Sequence, residues 1–180
     1  MAGFFSGSTA KSPQPVAGAQ SDVNCPSVEI RQGASTLSIG PTGDNATMSL
    51  KYQGSFVRAA RECAVVAGNM VMKIGVQGRV VVGPAGGPGQ VEVPLRIAVV
   101  EEVPGGFKPI VTKLIRIPVT IGTGLGGASF THVEEAISFP LPAPTSALDD
   151  YLVYVGFDPL AAAAQEQSAR PKPKPKTRAD

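Results

Sequence analysis

The sequence predicts an all-β fold, an antiparallel β-sandwich of seven to eight strands. Three observations predict it. Glycine (21) and proline (17) are abundant among the 180 residues, which suits many tight turns, because Gly supplies positive φ and Pro presets turn dihedrals. Runs of alternating apolar and polar residues recur along the chain, the signature of half-buried strands. Gly- and Pro-rich clusters separate those runs, and no long stretch carries convincing helical spacing. The length suffices for one domain with a sizeable core.

Residues 1–24 read as a flexible leader, 25–159 as the sandwich domain and 160–180 as a basic Pro/Lys-rich disordered tail. In the domain, VEIRQG (28–33) is a short strand that TLSIG (36–40) continues after a bend, and PTGDNA (41–46) is a turn. MSLKYQGSF (48–56) is a strand with Met48, Leu50 and Tyr52 on one face. VRAARECAVVAG (57–68) contains helix-favouring Ala, Arg and Glu. Val57, Cys63, Val65 and Val66 nevertheless fit an irregular buried strand over 56–66. NMVMKIGVQGRVVVG (69–83) places Met70, Met72, Ile74 and Val76 on one face, with a change of face and a bulge expected at Gly78.

After the turn GPAGGPGQ (83–90), QVEVPLRIAVVEEV (90–103) alternates most regularly. Val91, Val93, Leu95, Ile97 and Val99 point one way, and Glu92, Pro94, Arg96 and Ala98 the other. PGGFKP (104–109) is a turn. IVTKLIRIPVTIG (110–122) puts Val111, Ile115, Ile117, Val119 and Ile121 on one face. GTGLGG (122–127) is a hairpin turn, and ASFTHVEEAISFPLP (128–142) is a strand broken near Glu134-Glu135. PAPTSALDD (142–150) is a loop, and YLVYVGFD (151–158) closes the domain with Tyr151, Val153, Val155 and Phe157 on one face. The sum is immunoglobulin- or fibronectin-like in general form, with a closed barrel as the competing arrangement. Pro94, Pro118 and Pro140 each remove a ladder donor and so are expected to face outward on edge strands or to mark bulges.

The net charge of +2 divides unevenly: residues 1–160 carry −1 and residues 161–180 carry +3. The basic character therefore sits in the tail, and overall charge gives no ground for nucleic-acid binding. No stretch is long and apolar enough to cross a bilayer as a helix. The N-terminus, with neither a basic n-region nor a long apolar h-region, is not an intact signal peptide. It matches the small, polar stretch that follows a cleavage site; the other reading is a cytoplasmic chain.

The two cysteines, Cys25 and Cys63, are too far apart for a CxxC metal site. A disulfide between them would secure the first strand and imply an oxidising compartment; the alternative is a buried thiol at Cys63 and an exposed one at Cys25. Arg58, Arg61 and Glu62 precede Cys63, either to depress its pKa or as ordinary cross-strand ion pairs. GTGLGGAS (122–129) lacks a Walker lysine and leads into a strand, so it does not read as a phosphate loop. The lone His132, beside Glu134 and Glu135, has no GxSxG or HExxH context, and a surface pair with Glu134 is expected. No catalytic residues, metal or cofactor are implied. ARPKPKPKTRAD (169–180) should be extended and polyproline II-like. Arg170, Lys172, Lys174, Lys176 and Arg178 are candidates for contact with an anionic lipid or cell-wall surface. Specific nucleic-acid recognition is not expected there, since no aromatic is interleaved.

Residues 50–100, with FTHVEEAISFPLP (130–142) and YLVYVGFD (151–158), resemble uncharacterised cell-envelope proteins of alphaproteobacteria, many of them lipoprotein-like. The resemblance implies a β-sandwich and an envelope location but carries no activity. AGFFSGS (2–8) looks like the stretch that follows a lipidated cysteine in such proteins, although this chain has no lipobox cysteine. The expected function is therefore a non-enzymatic envelope protein, periplasmic or associated with the outer membrane, with a structural role or a protein partner. The alternative is a binding module for a small hydrophobic ligand, with a cavity lined by Met70 and Met72.

Overall fold

Side chains on extended backbone point alternately to opposite faces, and the odd or even set that is apolar decides which face of each strand turns inward. The computed structural model of the chain describes residues 23–41 and 46–169. It contains β1 (Ser27–Ile30), β2 (Thr36–Ile39), β3 (Tyr52–Val66), β4 (Asn69–Val82), β5 (Gly89–Val103), β6 (Gly106–Ile121), β7 (Gly127–Pro140), a 3-10 turn (Thr145–Asp150), β8 (Tyr151–Phe157) and α1 (Pro159–Ala169). Two four-stranded sheets, β1-β8-β5-β6 and β2-β3-β4-β7, form the sandwich. All pairings are antiparallel except β1 with β8, which is parallel.

The expected inward faces of β4, β5 and β8 are the core. Met72, Ile74, Val93, Leu95, Ile97, Val99, Val153 and Val155 are each 0% exposed. Ile117, Val119 and Ile121 from β6 and Ile137 and Phe139 from β7 complete it. Residues 56–66 are strand throughout but not a buried one: Cys63 and Val65 pack against the core, whereas Val57 and Val66 are 65% and 56% exposed. Two positive-φ residues, Ala67 (φ 49) and Gly68 (φ 79), close the β3–β4 hairpin between paired Val66 and Asn69, which matches the twist of the flanking strands.

Several expectations are corrected. Met48 lies in a turn and is 70% exposed, and strand begins only at Tyr52. β2 does not prolong β1; the two belong to different sheets. The face of β4 does not change at Gly78, because Val80 beyond it is 0% exposed. The bulge instead lies on the neighbouring β3, between Phe56 and Arg58, where Val57 is the extra residue. A second bulge on β7, between Glu134 and Ile137, falls where the sequence pattern breaks. GTGLGG is no hairpin: it carries the chain from β6 in one sheet to β7 in the other.

Pro118 and Pro140 are exposed on the edge strands β6 and β7, as expected. Pro94 is instead buried on the central strand β5. It is tolerated there because β8 pairs with β5 only from Leu95 onward. The Pro94 carbonyl accepts from the Asp158 N–H at 3.0 Å just past the strand end, so the missing donor costs no ladder bond.

Composition places the start of the tail at residue 160, yet PLAAAAQEQSA is helix. Asp158 Oδ1 accepts from the Ala161 N–H at 3.0 Å, an N-cap bond, and Pro159 occupies the first helical position. Ala162 (6% exposed) packs on the core, and Lys51 Nζ pairs with Glu166 at 3.2 Å. The helix thereby covers the stretch of β5 that β8 leaves unpaired. Of the expected leader (1–24), Val23 packs against the core and Asn24 bonds Asp149, while residues 1–22, like residues 170–180 of the expected tail, lie outside the described residues.

Candidate functional site

A sandwich has two open sides where the sheets' edge strands face each other, and both are tied here. On one side Cys25, just before β1, is bonded to Cys63 of β3, with their Cα atoms 5.9 Å apart. Arg61 adds a hydrogen bond from Nη2 to the Cys25 carbonyl at 3.2 Å. The bond thus links the β1–β8 sheet to the β3–β4 sheet through residues 38 apart in sequence. Neither cysteine is a reactive thiol. Arg58 donates from Nε to Gln77 Oε1 at 2.7 Å, and Glu62 lies 3.9 Å from Lys73. The cationic and acidic residues around Cys63 therefore make cross-strand contacts, though not with one another.

On the opposite side β6 meets β7. Lys113 Nζ reaches Glu134 Oε1 at 2.9 Å, and His132 Nε2 is 3.9 Å from Glu134 Oε2. His132 and Glu134 share a face, as expected, but it is the inward one. The Glu134 side chain is only 12% exposed, and His132 Nε2 is buried without a hydrogen-bond partner among the described residues. Burial pushes the Glu134 carboxyl up, but the Lys113 hydrogen bond and the Ala136 N–H outweigh it and hold the group below its ordinary value. An ion pair closing a sheet–sheet seam is what this arrangement provides.

The outer face of the β1-β8-β5-β6 sheet holds residues the sequence reading did not single out as a site. Tyr154 on β8 points outward. The Arg31 guanidinium lies 5.6 Å from its ring centroid, and Phe107 meets it edge-on at 5.6 Å. Such contacts are favourable for aromatic rings of this quadrupole. Phe107 is 51% exposed, and Leu114 and Leu160 on the same side of the molecule are 37% and 81% exposed. A groove of about 420 Å³ runs from Arg31 and Tyr154 past Ala98 and Gly156 to Leu160, and a second of about 380 Å³ continues from Tyr154 to Phe107 and Glu29. Small residues make the floor and Arg96 borders it.

Arg96 itself is held, with Nε donating to Asp158 Oδ2 at 2.9 Å. The Ala161 N–H and the Arg96 guanidinium hold the Asp158 carboxyl below its ordinary value, against burial, which acts the other way. Strict alternation about Tyr151, Val153 and Val155 puts Tyr154 outward, so an inventory of outward aromatics would have found this face.

Met70 and Met72 are 1% and 0% exposed inside the core; they are packing residues, not the wall of a cavity. The glycine loop 122–127 is a turn, with the Leu125 N–H bonded to the Gly122 carbonyl at 3.1 Å, and it leads into strand. Among the described residues no group of three or more His, Cys, Asp or Glu side chains is placed to hold a metal, and no helix is long and apolar enough to cross a membrane. The five cationic side chains from Arg170 to Arg178 lie outside the described residues. Comparisons with protein-family models, with curated proteins and with solved structures return no match.

Proposed function

We propose that this chain is a non-enzymatic protein of the bacterial envelope that docks a protein partner through the outer face of its β1-β8-β5-β6 sheet. The observation that carries the reading is the exposed cluster of Phe107, Tyr154 and Arg31 beside an open groove. Aromatic and arginine side chains dominate the energetics of protein interfaces, because they bury large area at small entropic cost. An arginine stacked on a tyrosine is already oriented for such a contact. The Cys25–Cys63 bond supports a location outside the reducing cytoplasm. The cationic residues Arg170, Lys172, Lys174, Lys176 and Arg178 add contact with anionic lipid or cell-wall polymer, weakened by salt.

The test has two parts. Periplasmic and cytoplasmic fractions of the native host are alkylated and the intact mass of this protein measured with and without reduction. The bonded form in the periplasmic or membrane fraction is expected; a cytoplasmic protein with two free thiols overturns the location. A photo-reactive residue is then placed at Thr112, on the outer face. It should give a discrete crosslinked species in cells that Tyr154→Ala removes while the circular dichroism spectrum is unchanged. A crosslink indifferent to Tyr154→Ala overturns the docking face.

A further inference from the structure

The two grooves on the outer face of the β1-β8-β5-β6 sheet form one channel, since Arg31 and Tyr154 line both. The channel follows the strand direction. It begins at Glu29, level with Tyr154 in the β1–β8 ladder, and ends at Leu160, beyond the last residue of β8. Toward Leu160 the floor is Ala98 and Gly156. A Cβ added at Gly156 would lie 2.8 Å from that of Ala34, so only glycine there lets residues 31–34 lie down against β8 and wall the channel.

Four charged side chains line the channel: Glu29, Arg31, Arg96 and Asp158. Arg96 and Asp158 bond each other. Glu29 and Arg31 are both exposed, and neither makes an ion pair among the described residues. They do not meet each other, because the Arg31 guanidinium is turned onto the Tyr154 ring, 5.6 Å from its centroid. A guanidinium that lies over a ring keeps the N–H donors at its rim for a further hydrogen bond.

We propose that the docked partner lies in this channel as an extended segment whose alternate residues are basic, acidic and apolar. The basic residue meets Glu29, the acidic one meets Arg31, and the apolar one sits over Ala98 and Gly156 against Leu160. This rests on the docking face proposed above and adds what the partner carries. Charge complementarity and spacing support it. On β1 the two charges are two residues apart, about 6.6 Å along an extended chain. A second extended chain repeats that spacing at every other residue, so two side chains on one of its faces meet both charges at once. A simple anion would satisfy Arg31 but set a like charge near Glu29. Past Arg31 the walls include Pro159 and Leu160, the latter 81% exposed, which suits an apolar side chain at the next position on that face.

The test uses the full chain in its native host, with a photo-reactive residue at Ser27, exposed on the same face two residues before Glu29. Irradiation should give a crosslinked peptide. Sequencing its chymotryptic fragment by mass spectrometry should read an acidic and a basic residue two positions apart. Arg31→Glu and Glu29→Lys should each lower the crosslink yield roughly tenfold or more, because like charges then face each other. Arg31→Lys, which keeps the charge, should retain most of the yield. Arg79→Glu, exposed on the outer face of the other sheet, should change nothing. Circular dichroism should be the same for all four variants, since each alters an exposed side chain.

A crosslink at Thr112 that Tyr154→Ala removes, with none at Ser27, overturns the segment and leaves the docking face standing. So does a Ser27 crosslink indifferent to either charge reversal, or a crosslinked peptide without that charge spacing. A Ser27 product of lipid mass, the result if a zwitterionic headgroup fills the channel, also overturns it. No crosslink from either position overturns the docking face and the segment together.

Discussion

Removing the Cys25–Cys63 bond is the perturbation with the largest effect that can be worked out from the fold. The bond closes a loop between residues 38 apart. On the chain-entropy model, releasing a loop of that length frees the unfolded chain by about 4 kcal/mol at 25 °C. The folded state has little else to hold its first segment. β1 contributes only four residues, paired in parallel to β8, and the leading Asn24 adds one exposed side-chain bond to Asp149. The paired substitution Cys25→Ala with Cys63→Ala avoids free thiols and leaves the sheets' own hydrogen bonds in place.

The chain has three tyrosines and no tryptophan, so unfolding in urea is followed by tyrosine fluorescence and far-ultraviolet circular dichroism. With an m-value of about 2 kcal/mol per molar urea, the midpoint should fall by about 2 M. The melting temperature should fall by about 10–15 °C. Amide exchange should quicken first in β1 and around Cys63. A midpoint loss below about 0.5 M urea would refute the reasoning, since the bond would then not be restraining the unfolded chain by its loop length.

Four further outcomes follow from packing and charge. Gly78 sits on the inner face of β4, where an added Cβ would lie 2.8 Å from the Ser55 carbonyl oxygen and collide with the Phe130 ring. Gly78→Ala should therefore cost about 1–3 kcal/mol in urea unfolding. Leu148, 1% exposed in the 3-10 turn, should cost about 2–4 kcal/mol when cut to alanine. The same change at Leu125, 60% exposed, should stay within about 0.5 kcal/mol. Asp158 is held below its ordinary value of 3.8 by the Ala161 N–H and by Arg96. Its contribution to stability is therefore present above about pH 4 and is lost as the pH falls through the folded value. Asp158→Asn should lower the urea midpoint at pH 7, and the gap to wild type should close on acidification toward pH 3; a gap constant with pH would contradict this.

Much of the sandwich was legible because alternation is a local property. The inward sets on β4, β5 and β8 are apolar at every second position, so burial on one face follows from the pleat alone. The two prolines on β6 and β7 likewise announced edges. The helix α1 was not legible for a matching reason. It buries essentially Ala162, leaves Leu160 81% exposed, and so carries no apolar stripe to betray its period. The small, proline-flanked run reads equally as the start of the tail.

Which residues make a site was decided by the tertiary fold. Composition and spacing alone determined a β-rich chain, its turn positions and two cysteines able to bond. They did not determine that Cys63 and Cys25 face each other across a sheet–sheet opening, or that Lys113 and Glu134 close the other side. Nor did they determine that Arg31, Phe107 and Tyr154, from three different strands or their ends, meet on one outer face. Strand order and register bring residues more than a hundred positions apart into contact, and alternation within a strand carries no record of which strand will lie beside it.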